Sequence, residues 1–229
     1  MFTGQITLAQ AGYDKVQISQ TIESRFRIAD QGGNDVGQMV CTITPVDSNI
    51  RLDCTSQVRA YEVNTSSGFF KDGGHHADWS ATWDPNTMNL LNFSFERTYA
   101  DAVANVHAVV KDGRLDVETA AATQELAVSP DTLMEYEWAW RVNALRPQVF
   151  TSIQSSFCYL LLWDEKAGTS YPVLQTEILH LTASSWIDLP AGRVKASKAS
   201  LGGQAAWYAQ DYTGPARFED GMLIYEQVK

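Results

Sequence analysis

Residues 186–225 read WIDLPAGRVKASKASLGGQAAWYAQDYTGPARFEDGMLIY, three strand-like runs divided by turn residues. The dividers are Pro190-Ala191-Gly192, Gly202-Gly203 and Asp220-Gly221, and both Gly-Gly and Asp-Gly tolerate the positive φ angles of tight hairpins. The stretch therefore predicts an antiparallel meander. A two-residue turn at Asp220-Gly221 pairs Phe218 with Leu223 and Ala216 with Tyr225. Those four then share one face, and Arg217, Glu219, Met222 and Ile224 share the other.

The same alternation recurs upstream. From Val16 to Ile28 the even positions are mostly apolar and the odd ones polar, the mark of a strand with one buried face. Ile50 to Ala60 repeats it, with Ile50, Leu52, Cys54, Val58 and Ala60 set against Arg51, Asp53, Thr55, Gln57 and Arg59. Leu91, Phe93 and Phe95 follow, and then a hairpin at Asp112-Gly113. Its two-residue turn pairs Val110 with Leu115, Ala108 with Val117 and Val106 with Thr119, and places His107 opposite Glu118. Phe157 to Trp163 is apolar at odd and even positions alike and needs cover on both faces. Strands this long suit a curved antiparallel sheet or an incomplete barrel. Asn64 to Gly74, rich in Asn, Ser and Gly, reads as a mobile loop.

One segment reads as a helix. Ser129-Pro130-Asp131 supplies an N-cap, a first-turn proline and an early acid, and Arg146-Pro147 closes the segment. Leu133, Tyr136, Trp140 and Ala144 form one apolar stripe and Met134, Trp138, Val142 and Leu145 a second, with Glu137 and Arg141 spaced i,i+4 between them. The expectation is a mainly-β single domain over residues 1–229, a long curved sheet or incomplete β-barrel with one principal α-helix packed on its concave face.

Composition narrows the function classes. The 229 residues carry a net charge of −10 and contain no run of Lys or Arg, so nucleic acid and anionic membrane surfaces are disfavoured as partners. No apolar run is long enough for a transmembrane helix. The start of the chain lacks the basic and apolar stretches of an export signal, which reads as cytoplasmic, or as periplasmic or otherwise extracytoplasmic if a leader has been removed. Three cysteines, an odd count without a CxxC pair, argue against a disulfide framework; Cys54 and Cys158 read as small buried hydrophobes.

No hydrolase elbow, phosphate loop or dinucleotide fingerprint is present. His75-His76-Ala77-Asp78 has metal-ligand chemistry at poor spacing, because neighbouring strand residues face opposite ways, so the expectation is no metal and no cofactor. His180 reads as a structural histidine. The strongest constellation is Glu137 with Arg141, walled by Tyr136, Trp138 and Trp140. It is either a structural ion pair or a polar anchor at the floor of an aromatic pocket, with Arg141 gripping a ligand carboxylate or phosphate. Trp79, Trp83, Trp163, Trp186, Trp207 and Tyr208 read individually as core.

Leu189-Pro-Ala-Gly-Arg193, Ala206-Trp-Tyr-Ala-Gln-Asp211, Pro215-Ala-Arg217 and Asp220-Gly-Met-Leu-Ile-Tyr225 together resemble uncharacterised bacterial β-rich domains related in fold to the LolA/LolB lipoprotein carriers. The resemblance covers about the last fifth of the chain, mostly through turn chemistry. It implies a long antiparallel sheet curled around a helix, with an apolar interior that accepts acyl chains in the carriers. The reading is a non-enzymatic binding protein for an apolar or amphipathic, lipid-like molecule. The alternatives are a lipocalin-like cyclase or isomerase using a buried carboxylate or histidine, and a ligand-free structural or interaction domain.

Overall fold

Apolar residues at every second position build strands. In the computed structural model, which describes residues 6–7, 18–65, 68–99, 106–119, 123–144, 152–164 and 169–228, they build little else. β1 (Ile6–Thr7), β2 (Ile22–Asp30), β3 (Asp35–Val46), β4 (Asn49–Thr65), β5 (Gly68–Trp83), β6 (Leu90–Tyr99), β7 (Val106–Lys111), β8 (Arg114–Thr119) and β9 (Thr123–Ala127) come first. β10 (Leu133–Met134), β11 (Ser152–Asp164), β12 (Thr169–Leu189), β13 (Gly192–Leu201), β14 (Gln204–Ala209), β15 (Arg217–Glu219) and β16 (Leu223–Val228) follow.

All belong to one curved sheet in the order β1-β11-β12-β13-β14-β15-β16-β2-β3-β4-β5-β6-β7-β8-β9, with β10 beside β1 on the outer edge of β11. Among the described residues only the pairings of β1 and β10 with β11 are parallel. β16 pairs with β2, so the closing meander continues directly into the first long strand. The curl brings β12 close to β8 and β9, but among the described residues no ladder joins them and the sheet is not closed.

Registers follow the sequence closely. The hairpin at Asp112-Gly113, both residues at positive φ, pairs Val110 with Leu115, Ala108 with Val117, Val106 with Thr119 and His107 with Glu118, as its two-residue turn requires. The last hairpin differs: Phe218 pairs with Tyr225 and Glu219 with Ile224. The Asp220 carboxylate accepts the amides of Met222 and Leu223 and so holds a longer loop. A slip of two residues keeps each side chain on its face, and Phe218, Leu223, Tyr225 and Ala216 are all buried.

Of residues 64–74, expected as a loop, Asn64, Thr65 and 68–74 are strand instead, and 66–67 lie outside the described residues. The β4–β5 ladder runs on to Thr65 opposite Gly68. Asp72-Gly73-Gly74 is a kink within it, with Gly74 at φ +94° and its amide bound to Asp72. A Cβ at Gly74 would lie 3.0 Å from the Val58 carbonyl oxygen, so glycine serves there both for its φ and for the close approach. Across the kink the inward parity changes, and Tyr61 is buried where Ala60 was expected.

The principal helix contracts to one turn, α1 (Trp138–Arg141), continued by a 3-10 turn at Val142–Ala144. Ser129 opens a tight turn instead of a helix, its carbonyl accepting the Thr132 amide. Leu133 and Met134 then pair with Phe157 and Cys158 of β11, and Tyr136 turns the chain at φ +68°. Tertiary partners override helical propensity here, because the interior offers contacts in every direction and an amphipathic helix can use only some of them. The proposed N-terminal end of the helix is thus a strand and a corner. Leu145, which completes the second stripe, lies outside the described residues, as does the side chain of Trp163.

The segment plugs the concave side. Trp138 packs edge-on to Phe218, Trp140 edge-on to Phe26, and Tyr136 stacks on Phe95 with ring centroids 5.6 Å apart. The Tyr208 hydroxyl donates to the Ala139 carbonyl from β14. The main apolar core results, with Trp138, Phe157, Leu133 and Met134 fully buried in it, and Leu189, Tyr212 and Ala216 form a small second cluster.

Cys41 and Cys54, opposed on β3 and β4, form a disulfide. The odd count had argued against a disulfide framework, but it is the product of one bridge and one leftover thiol, Cys158.

Gly214 carries the plug's weight on the meander side. A Cβ there would run into the Trp140 ring, whereas one at Gly203 would meet nothing, and both sit at positive φ. Because the two share the φ penalty, Gly214→Ala should lower stability by about 1–3 kcal/mol more than Gly203→Ala, read from urea midpoints.

Candidate functional site

The five residues singled out by sequence all lie in the plug and all are buried. Glu137 forms an ion pair with Arg141 at 3.3 Å. Its carboxylate also accepts the Trp83 indole N–H at 2.5 Å and the Met134 amide at 3.1 Å. Arg141 donates to the carbonyls of Met88, Pro130, Asp131 and Thr132 at 2.6–3.4 Å. Burial pushes the Glu137 carboxyl up, and Arg141, the Met134 amide and Trp83 oppose it. The pair therefore ties the plug to β5 and to the 84–90 connection. Glu135 does similar work on the other side, accepting the Leu160 amide at 2.7 Å, while Gln204 accepts the Trp138 indole at 2.6 Å.

A second polar cluster gathers at the kinked end of the curl. The Asp72 carboxylate accepts the Gly74 amide at 2.7 Å and faces His75 Nδ1 at 3.2 Å. Both side chains are buried. His75 stands opposite Tyr99 and Ala77 opposite Arg97 in the β5–β6 ladder, so His75 and Arg97 are diagonal neighbours on the inner face. Arg97 donates to the Tyr136 hydroxyl at 2.5 Å and to that of Tyr99 at 3.1 Å, and lies against the rings of Phe95, Tyr99 and Tyr136. Tyr61, Tyr225 and Asp220 complete the cluster, with the Tyr225 hydroxyl donating to Asp220 at 3.1 Å.

Its electrostatics are unusual in one respect. Arg97 is buried yet has no carboxylate within ion-pair distance among the described residues, and its Nε is unpartnered. Burial pushes the phenols of Tyr61, Tyr136 and Tyr225 up, so no phenolate neutralises it. His75 Nε2 is likewise buried and unpartnered. Burial holds the imidazole below its usual pKa, with Arg97 helping and Asp72 opposing. Burial also raises Asp72, but His75, the Gly74 amide and Arg97 outweigh it and leave that carboxyl below its ordinary value. Near neutral pH the site presents Arg97 Nε–H as a donor and a neutral His75 Nε2 as an acceptor, since Nδ1–H faces Asp72.

The other candidates are spent or remote. His76 pairs with Asp78 on the outer face, 2.8 Å apart, so the two histidines point opposite ways as strand alternation demands. His180 is exposed on β12 against Ser152. Burial, with Glu135, pushes the Cys158 thiol up to about 12, which leaves it inert. A groove of about 560 Å³ runs over the outer face of β2, β3 and β4 between Arg25, Arg27 and Arg59. Those guanidiniums already pair with Glu23, Asp35 and Glu226. Among the described residues no helix is long and apolar enough to cross a membrane.

The sequence carried two signals for the cluster. Arg97 falls on the buried parity of Phe93 and Phe95, and Asp72-Gly73-Gly74-His75 places an acid and a histidine around a pair of glycines.

No family model matches the chain, and no curated protein matches it. Among solved structures it is similar to the beta-barrel-like protein of domain of unknown function DUF1849 from Brucella abortus, at 12% identity over 93% of this chain and 98% of that chain, with a TM-score of 0.45.

Arg141→Leu strands the Glu137 carboxylate in the core and should cost about 3–5 kcal/mol in denaturant unfolding, and Glu137→Met/Arg141→Leu should recover only the part due to the stranded charge, because the Trp83 indole, the Met134 amide and the four carbonyls lose their partners. A second expectation concerns pH. His75 binds its proton less readily folded than unfolded, so its contribution is full above the unfolded value near 6.5 and is lost as pH falls below it. Asp72 adds its own loss below its ordinary value of 3.8. Thermal midpoints should therefore fall between pH 7 and 5 in the parent protein and change less in His75→Gln.

Proposed function

We propose that this chain is a non-enzymatic binding protein for a small amphipathic molecule, whose oxygen-bearing head is held at Arg97 and whose apolar body lies among the surrounding rings. One observation carries the reading: a buried, permanently charged guanidinium with an unpartnered Nε. Burying such a group unmatched is costly, and orphaned buried donors mark places where a ligand or water belongs. Phe95, Tyr136, Phe218 and Tyr225 form a chain of ring contacts beside it and supply apolar and aromatic surface. Half-buried Tyr99 leads from the cluster towards solvent.

The anchor proposed for the ligand thus moves from Arg141, whose guanidinium is committed to four carbonyls and Glu137, to Arg97. The Cys41–Cys54 disulfide supports an oxidising, extracytoplasmic compartment. A second reading, acid–base chemistry, is favoured by the Asp72–His75 pair with its open Nε2, and conversion of a bound ligand would reveal it.

Native mass spectrometry with laurate, dodecanol and dodecyltrimethylammonium tests the binding. The oxygen-headed amphiphiles should be retained, the ammonium should not, and Arg97→Met should weaken retention at least about tenfold while keeping the fold. Equal retention of all three, or an Arg97→Met variant that binds like the parent, would overturn the reading.

A further inference from the structure

We propose that the head group seated at Arg97 is a carboxyl, held at its second oxygen by His75 Nε2, and that it binds with the uptake of one proton. This inference rests on the binding reading above and goes beyond it in naming the head and its protonation.

The donor and acceptor pattern decides the head. Arg97 Nε–H requires an acceptor, and His75 Nε2, with Nδ1–H turned to Asp72, requires a proton donor. A carboxylic acid offers both on adjacent oxygens, its carbonyl to Arg97 and its O–H to His75. An alcohol satisfies the two nitrogens only by using one oxygen for both. A phosphate brings further oxygens into a wall of rings with no donor assigned to them.

The open lone pair of His75 decides the proton. The charged and titratable groups that act on His75 are Asp72 on its own strand, Arg97 and Tyr99 on β6, and Asp220 at the β15–β16 end. A bare carboxylate has no proton to donate and would set an oxygen lone pair against that of His75 Nε2 in a desolvated place. Both aspartates are already spent on other donors, Asp72 on His75 and Gly74, Asp220 on Met222, Leu223 and Tyr225. One proton taken from solvent and shared between the carboxyl and Nε2 turns that repulsion into a hydrogen bond. No covalent bond forms, and the proton returns to solvent on release. The depressed affinity of the free imidazole for protons means that the unliganded site starts without it.

Titration calorimetry of laurate at pH 7, in buffers of different ionisation enthalpy, reads the uptake directly. The parent should take up close to one proton per laurate and none with dodecanol. Affinity for laurate should fall about tenfold per pH unit across the window of full uptake. His75→Gln should bind laurate more weakly and without uptake, and Asp72→Asn should reduce the uptake by removing the partner of Nδ1. Laurate binding that depends on Arg97 but carries no uptake would overturn this inference and leave the binding reading standing. Failure of laurate to bind, or binding indifferent to Arg97→Met, would overturn both.

Discussion

A sheet that curls without closing must cover its concave face, and here the cover is a polar latch inside an apolar core. Glu137, fixed by Trp83, the Met134 amide and Arg141, holds residues 130–141 where β2, β5, β6, β11, β14 and β15 converge. A buried ion pair of this kind contributes little net stability against an apolar substitute, but it is strongly directional. Its direction sets the plug's register against the strands. Trp138 and Trp140 then reach strands on either side of β16, Trp138 towards Phe218 on β15 and Trp140 towards Phe26 on β2.

The same segment joins the latch to the second polar cluster. Tyr136, one residue before Glu137, is held at φ +68°, a conformation that non-glycine residues rarely adopt. Its hydroxyl accepts from Arg97 and its ring stacks on Phe95. Backbone strain at such a corner persists only where surroundings over-determine it. Latch and cluster therefore depend on one another: releasing Glu137 frees the corner that presents Tyr136 to Arg97.

Period-two alternation made most of the sheet legible, since β2, β7 and β8 bury most of the residues their pattern singles out, and β4 and β6 depart from theirs only at Ala60 and Leu91, which are exposed. The Asp112-Gly113 register was readable because two residues at positive φ leave one pairing, whereas Asp220 escaped because a side-chain cap, invisible to turn dipeptides, lengthens the loop. The helix over 129–145 failed for a physical reason. Its two stripes record burial on all sides, which a single turn inside a curved sheet satisfies as well as a helix between layers does. Glu137 and Arg141 were found because their spacing brings them together in either geometry. Asp72, His75 and Arg97 meet only across the β5–β6 ladder and a glycine kink, and sequence separation conceals that.

The most direct measurement is a crystal structure of the protein as purified, at a resolution that shows ordered water and small ligands around Arg97 and His75. An oxygen-bearing group or ordered solvent engaging both Arg97 Nε and His75 Nε2 beneath Tyr136 is the expected result. Both nitrogens satisfied by protein side chains, with the latch unchanged, would contradict a ligand site there and leave the cluster a structural one.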